Sequence, residues 1–298
     1  MISTYSIISQ IHAQDSKELK MKESTELPVL QVHAVESLVP HEDHDPRRIE
    51  KLSQRIRQEG ILKNPPVVAP IPDSGRYVIL DGANRAMAFS ALGIPHIVVQ
   101  VVDYEGSGVS LETWYHVVSG MRLEVFEEGL AQVAGMDLQE CSLEEARAAL
   151  EKDEALAYIV CENGVRKVPC RQGCTPQDLH LLNQLVQTYK GRADIFRASN
   201  DVLEKQVPFY PGIIALVIFP RYKPENIVQA AQNGYHFPSG ITRHVIPYRA
   251  LNINIPLDVL GAAWTLERKR AWLHEWLMER MAANAIRYYA EPTFSFNE

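Results

Sequence analysis

The sequence predicts an α/β protein on three observations. From about residue 27 to 105, short runs rich in Val and Ile alternate with stretches of helical periodicity, as in strands connected through helices. The run Tyr77-Val-Ile-Leu80 is apolar throughout and stops at Asp81-Gly82, as a short strand buried on both faces would. A helix is punctuated at both ends, with Asp45-Pro46 opening it and Gly60 closing it. The 298 residues, 46% of them hydrophobic, suffice for one large domain or two ordinary ones with a real core.

In chain order, the first residues are polar and unpatterned after a short apolar start, and a loosely held N-terminal arm is expected there. Leu27 to His33 is a first strand, and Leu38 to Arg47 a polar loop. Ile49, Leu52 and Ile56 follow at helical spacing. Pro65 to Ala69 is a strand, turned through Ile71 to Gly75 into the Tyr77 run. Gly82 accepts a positive φ at no steric cost, so the chain turns sharply there. Asn84 is the expected N-cap of the helix that carries Met87, Phe89, Ala91 and Leu92, and Gly93 ends it. Ile94 to Asp103 is another β-branched strand, and Ser110 to Val118 a further one with Trp114 and Tyr115 on opposite faces. Residues 121–155 read as helical and charged, with a capping box at Ser142-Leu-Glu-Glu145. Strands near Tyr158 and Val165, a helix from Pro176 to Lys190, a buried strand at Gly212 to Phe219, a short helix from Pro224 to Asn233 and a long helical stretch over 257–290 complete the chain. A domain boundary is expected between residues 105 and 120.

The formal net charge of −7 argues against generic nucleic-acid binding, which shows a basic footprint. The apolar run Gly212 to Phe219 is far too short to span a bilayer, and the N-terminus lacks the basic and apolar regions of a signal peptide, so a cytoplasmic location without membrane contact is expected. Cys141, Cys161, Cys170 and Cys174 match no standard zinc spacing and are expected as reduced thiols. Trp264, Trp272 and Trp276 on the C-terminal helical stretch serve either the core or a surface for a second copy.

Three constellations carry chemistry. Asp81-Gly-Ala-Asn-Arg85 puts the backbone amides of Gly82, Ala83 and Asn84 at a strand–turn–helix junction, which is either a natural anion site or a purely structural βα turn. Arg85 in the first turn opposes the helix dipole and makes sense beside a phosphate or carboxylate. His41-Glu-Asp-His-Asp45 is either a solvated loop, a source of a carboxylate base, or a partial metal set. Phe237-Pro-Ser-Gly-Ile-Thr-Arg-His244 delivers a hydroxyl, a guanidinium and an imidazole, suited to a carboxylate or phosphate ligand or else to a polar edge strand.

Together these pieces resemble the ParB/sulfiredoxin-like fold and, within it, the free L-serine kinases. Residues 39–47 look like the segment that carries the catalytic glutamate, here Glu42. Residues 78–86 look like the phosphate-binding Asp-Gly-His-His-Arg loop, Trp114 falls where the family has a pocket tryptophan, and residues 240–244 look like the Thr-Arg-His motif that binds phosphoserine. The resemblance implies an arm over 1–27, a ParB/sulfiredoxin-like nucleotide-binding domain over 28–110 and a second α/β domain over 111–298 that completes the substrate site. It implies a phosphotransferase with ATP or ADP as donor, Mg2+ as cofactor and the hydroxyl of L-serine as acceptor. Glu42 would be the base, Asp81 would hold Mg2+ or orient the hydroxyl, residues 82–85 would cradle phosphate, and Trp114, Thr242, Arg243 and His244 would hold substrate. Two departures stand out: Ala83-Asn84 replaces the histidine pair, and Gly240 stands where a lysine is usual. The loop lacks the cysteine of sulfiredoxins, and the alternative is a nucleotide-binding regulator or DNA-associated switch on the same fold.

Overall fold

In a computed structural model, residues 27–106, 108–170 and 175–289 are described. The expected N-terminal arm and Cys174 lie outside the described residues. Strand β1 (Val29–Ala34) leads through a 3-10 turn (Val35–Ser37) to β2 (Leu38–Pro40), helix α1 (Pro46–Glu59), β3 (Ile61–Leu62), β4 (Val67–Pro70), β5 (Tyr77–Asp81), α2 (Ala83–Ala91) and β6 (His96–Val101). Five of these strands form a mixed sheet in the order β1-β6-β4-β5-β2. The expected polar loop thus begins with a strand, because Leu38 and Val39 are buried beside Tyr77 and Val78 in a parallel pair.

Alternation along β5 explains its unbroken apolar run. Val78 and Leu80 belong to one core and Ile79 to another, so the sheet is covered on both faces. Asp45 caps α1 by accepting from Arg47 N–H, with Pro46 at the first helical position, and Gly60 closes the helix in the left-handed region at φ +66. Gly82, at φ +86, is the N-cap of α2. The turn therefore comes two residues before Asn84, which lies in the first helical turn.

The chain continues as β7 (Ser110–Thr113), β8 (Tyr115–Ser119), α3 (Leu123–Ala131), β9 (Gln139–Cys141), α4 (Leu143–Glu151), β10 (Ala155–Cys161), β11 (Gly164–Pro169), α5 (Pro176–Gln187), β12 (Asp194–Ala198), α6 (Leu203–Gln206), β13 (Ile213–Ile218) and α7 (Pro224–Asn233). It ends with β14 (Thr242–Val245), β15 (Ile255–Pro256), α8 (Leu257–Gly261) and α9 (Leu266–Ala282). A second, antiparallel sheet runs β12-β8-β13-β10-β11-β9. The strand expected over Ser110 to Val118 is broken at Trp114. Thr113 Oγ1 donates to Pro220 O and Trp114 N–H to Ile241 O, which sends β7 to pair with β14 and β8 into the second sheet. The helical stretch expected over 257–290 is also two helices, because Thr265 starts a new one by accepting from Arg268 N–H.

One core lies between the sheets. It joins Val39, Val67, Val78 and Leu80 of the first to Val118, Ile159 and Val217 of the second, with apolar residues of α3, α5 and α7. The outer face of the first sheet is covered by α1, α2 and the end of the chain: Ile253, Ile255, Leu260 and Leu273 pack with Val32, Val68 and Ile97. Residues 253–273 therefore rejoin the first sheet, although a strictly sequential division would assign them to the second domain. Trp272 and Trp276 pack against this core. Among the described residues no helix is long and apolar enough to cross a membrane.

Candidate active site

The parallel pairing of β2 with β5 sets the site. Pro40 is level with Ile79, so Glu42 and Asp81, each two residues further on, reach the carboxyl ends of adjacent strands. Neighbouring strands lie about 4.8 Å apart. Open α/β sheets bind ligands at such ends.

Glu42 is held by backbone from the far end of the chain. Its Oε2 accepts from Gly240 N–H at 2.7 Å, and its Oε1 accepts from Thr242 N–H at 2.8 Å and Thr242 Oγ1–H at 2.5 Å. The segment itself is fixed because Phe237 N–H donates to His41 O and Asp43 N–H donates to Phe237 O, each at 2.8 Å. Asp43 also accepts from Lys190 Nζ at 2.7 Å, and this cation helps hold the Asp43 carboxyl below its usual range against the opposing effect of burial.

Asp81 ends β5 and takes two guanidinium groups on Oδ2, Arg85 at 3.1 Å and Arg249 at 2.5 Å. Burial works to raise this carboxyl, but the two arginines overcome it and its affinity for a proton falls below normal. Arg249 is set in place by Gln100, which is buried and uses both ends of its amide. Nε2 donates to Tyr248 O at 3.1 Å, and Oε1 accepts from Ala250 N–H at 2.9 Å. The first helical bonds of α2 run from Arg85 N–H and Ala86 N–H to Gly82 O. The amides of Ala83 and Asn84 precede them and have no acceptor within the helix. Amides, helix dipole and two guanidinium groups converge on the end of β5 and suit a phosphate group.

Two histidines hang from consecutive carbonyls of β5. His41 Nδ1–H donates to Ile79 O at 2.7 Å, and His244 is bonded to the backbone of Leu80. Their rings meet edge-on with centroids 5.3 Å apart. Burial pushes His244 down to about 3 and raises the Tyr104 phenol, so Tyr104 donates to a neutral His244 Nε2 at 2.7 Å.

Strand alternation divides the expected substrate motif. Thr242 meets Glu42 and His41, and His244 lies beside His41. Arg243 points to the other side of β14, where it pairs with Glu112 at 2.9 Å and stacks over the Trp114 ring at 4.3 Å. Trp114 and Arg243 are thus brought together, but not against Glu42, and any substrate contact of theirs comes from that side. Sequence reasoning missed Tyr104 and Arg249 and read His41 only as a candidate metal ligand. No motif marks these residues, whose roles arise from pairing across more than a hundred positions.

Among the described residues no group of three His, Cys, Asp or Glu side chains is arranged to hold a metal. Mg2+ in phosphoryl-transfer sites needs only one or two carboxylates, with nucleotide phosphates and water completing the shell. The Oδ1 atom of Asp81, which accepts neither guanidinium in the bonds above, fits that limited role.

Residues 13–111 match the family described as the ParB N-terminal domain. An ATP-dependent L-serine kinase of Staphylothermus marinus is 27% identical over 253 residues, 79% of this chain and 94% of that protein. An ADP-dependent L-serine kinase of Thermococcus kodakarensis is 23% identical over 233 residues, 76% of this chain and 90% of that protein. Among solved structures, a free serine kinase in complex with AMP superposes with a TM-score of 0.68 at 21% identity, covering 79% of this chain and 95% of that one. SbnI from Staphylococcus aureus, truncated at its C-terminus, gives 0.67 at 22% identity over 85% of this chain and 97% of that one.

Proposed function

We infer that the chain belongs to the free serine kinase branch of the ParB/sulfiredoxin-like fold, and that it phosphorylates the hydroxyl of L-serine with a nucleoside di- or triphosphate as donor. The observation that carries this reading is the pairing of a fixed carboxylate, Glu42, with a phosphate-binding end, Asp81–Arg85, on adjacent parallel strands. The relatives named as serine kinases align over most of the chain and support the same acceptor.

The terminal phosphoryl group rests on the amides of Ala83 and Asn84, with Arg85 and Arg249 offsetting its charge. Asp81 would hold Mg2+, which would offset phosphate charge. Glu42 accepts the serine proton as the oxygen attacks phosphorus. Thr242 and His244 border the serine side of the site, and Trp114 with Arg243 forms a cationic, aromatic flank. Phosphoryl transfer depends mainly on positioning and charge stabilisation, and this arrangement provides both.

The test is incubation with ATP or ADP, Mg2+ and L-serine, scored by phosphorus NMR for a new phosphomonoester. Glu42→Gln should lower turnover about 10²–10⁴-fold, the range for loss of a general base, with nucleotide binding nearly unchanged. Full turnover in that variant would refute the assignment of the base. Specific duplex DNA binding at physiological salt, without phosphomonoester formation, would favour the regulator reading instead.

A further inference from the structure

Two groups meet at the Thr242 hydroxyl. It lies 2.5 Å from Glu42 Oε1 and 2.9 Å from His41 Nε2. The other imidazole nitrogen, Nδ1, is 2.7 Å from Ile79 O. A carbonyl only accepts, so Nδ1 carries a proton, and in a neutral ring Nε2 is then an acceptor. Burial favours the neutral ring, although Glu42 and the Ile79 carbonyl oppose it. The hydroxyl has one proton and, with Glu42 as a carboxylate, two acceptors.

When Thr242 donates to Glu42, the lone pairs of Thr242 Oγ1 and His41 Nε2 face each other. When Glu42 carries a proton, a complete chain forms: Glu42 donates to Thr242, Thr242 to His41, and His41 to Ile79. The cluster is fully satisfied only with one proton more than the carboxylate form holds.

We propose that Thr242 is a hydrogen-bond switch and His41 its terminal acceptor, both acting as positioning residues for the base. The Thr242 hydroxyl donates to Glu42 before transfer and turns to His41 once Glu42 has taken the substrate proton. The source of that proton rests on the kinase reading. As the serine oxygen bonds to phosphorus and the bridging oxygen leaves with the nucleotide, the serine proton passes to Glu42. The Thr242 proton stays on Thr242 and changes only its acceptor. Glu42 returns its proton to water when product leaves. His41 thereby serves the protonated base as the terminal acceptor of the chain without becoming a cation.

The other groups facing the cluster are His244 on β14, backed by Tyr104 and Asp81, His236, itself beside Asp43 and His44, and the Arg197 guanidinium of β12, which lies against Gly240. None of them touches the Thr242 hydroxyl in the bonds described above, so coupling through that hydroxyl is separable from their charge.

The experiment follows the Glu42 carboxyl by carbon-13 NMR, assigned by its loss in Glu42→Gln, together with the acid limb of kcat. His41→Asn keeps a donor for Ile79 O and removes Nε2. It should move both midpoints to lower pH by about one unit, a tenfold change in proton affinity. Thr242→Ser should leave both in place. In a Thr242→Val background His41→Asn should cause no shift, because the link is gone. In the unaltered protein the nitrogen-15 signal of His41 Nε2 should move at the Glu42 midpoint while remaining unprotonated, a readout that needs no variant to fold. An unmoved Nε2 signal, or an equal His41→Asn shift with and without the hydroxyl, would overturn the switch. Failure to form a phosphomonoester would sink the kinase reading, and the NMR midpoints would still decide the switch.

Discussion

Replacing Gly82 by alanine tests how the phosphate end is built. The residue holds φ +86, and an added Cβ would lie 2.6 Å from Arg85 Nη2 and 3.0 Å from Pro66 Cα. The guanidinium can swing aside, at the loss of its bond to Asp81. The Pro66 backbone cannot yield without moving the start of β4. Gly60 supplies the control, since it holds φ +66 with nothing within 4 Å of an added Cβ. Gly60→Ala meets only the left-handed penalty, about 1–2 kcal/mol. Gly82→Ala meets that penalty, forfeits a part-exposed ion pair worth about 1 kcal/mol or less, and adds overpacking of about 1–3 kcal/mol. The excess over the control is then about 1–4 kcal/mol, and at about 2–4 °C per kcal/mol it lowers Tm by at least about 2 °C beyond Gly60→Ala. Displacing Arg85 should also raise the nucleotide KM about tenfold, equivalent to ~1.4 kcal/mol, while Gly60→Ala leaves KM unchanged. Thermal unfolding by circular dichroism and steady-state kinetics check both. Equal Tm losses in the two variants with no change in KM would refute the argument.

Arg249→Ala leaves Asp81 with Arg85 alone, and the nucleotide KM should rise about fivefold, corresponding to ~1 kcal/mol; an unchanged KM would show that Arg249 only braces the loop. Lys269 is buried, and its Nζ donates to Leu260 O at the end of α8 and to His96 Nδ1. Lys269→Met orphans that carbonyl and should cost about 1–3 kcal/mol in urea unfolding without altering KM. Burial lowers His116 from 6.5 to about 3, so between those values the unfolded chain binds a proton that the folded chain does not. Stability should therefore fall as pH drops below 6.5, by up to about 1.4 kcal/mol per unit for each such histidine. His116→Gln should flatten the slope measured between pH 7 and 5, and an unaltered slope would count against His116 as its source.

Local chemistry was legible in the sequence wherever a short segment decides its own conformation. Asp45-Pro46, Gly60, the capping box at Ser142 and the bounds Pro224 to Asn233 each follow from caps and turns that need no distant partner. The Tyr77 run announced a strand covered on both faces because its composition reflects burial directly. The elements that were missed depend on distant pairing. Leu38–Pro40 is too short to show alternation and is a strand because Tyr77–Ile79 lies beside it. Asp194–Ala198, mostly exposed, is a strand because β8 supplies its hydrogen bonds. Arg243 shows the same limit within the site. Its type suits a carboxylate, but one position of strand register turns it toward Glu112 and Trp114.

Gly240 lies where the chain turns into β14. By resemblance it marks a departure, a glycine where a lysine is usual. The structure supplies a physical reason for glycine. The residue holds φ +82, and its N–H reaches Glu42 Oε2 at 2.7 Å. A Cβ there would lie 2.7 Å from Arg197 Nη2. A lysine at this position would meet the Arg197 guanidinium, whereas glycine leaves that space free and lets the chain turn into β14. The amides of Gly240 and Thr242 then share the two carboxylate oxygens, and Thr242 alone adds a proton that can change direction. The Glu42 carboxylate is thus oriented by two amides and one hydroxyl, and its orientation depends on the 237–242 segment keeping its place against 41–43.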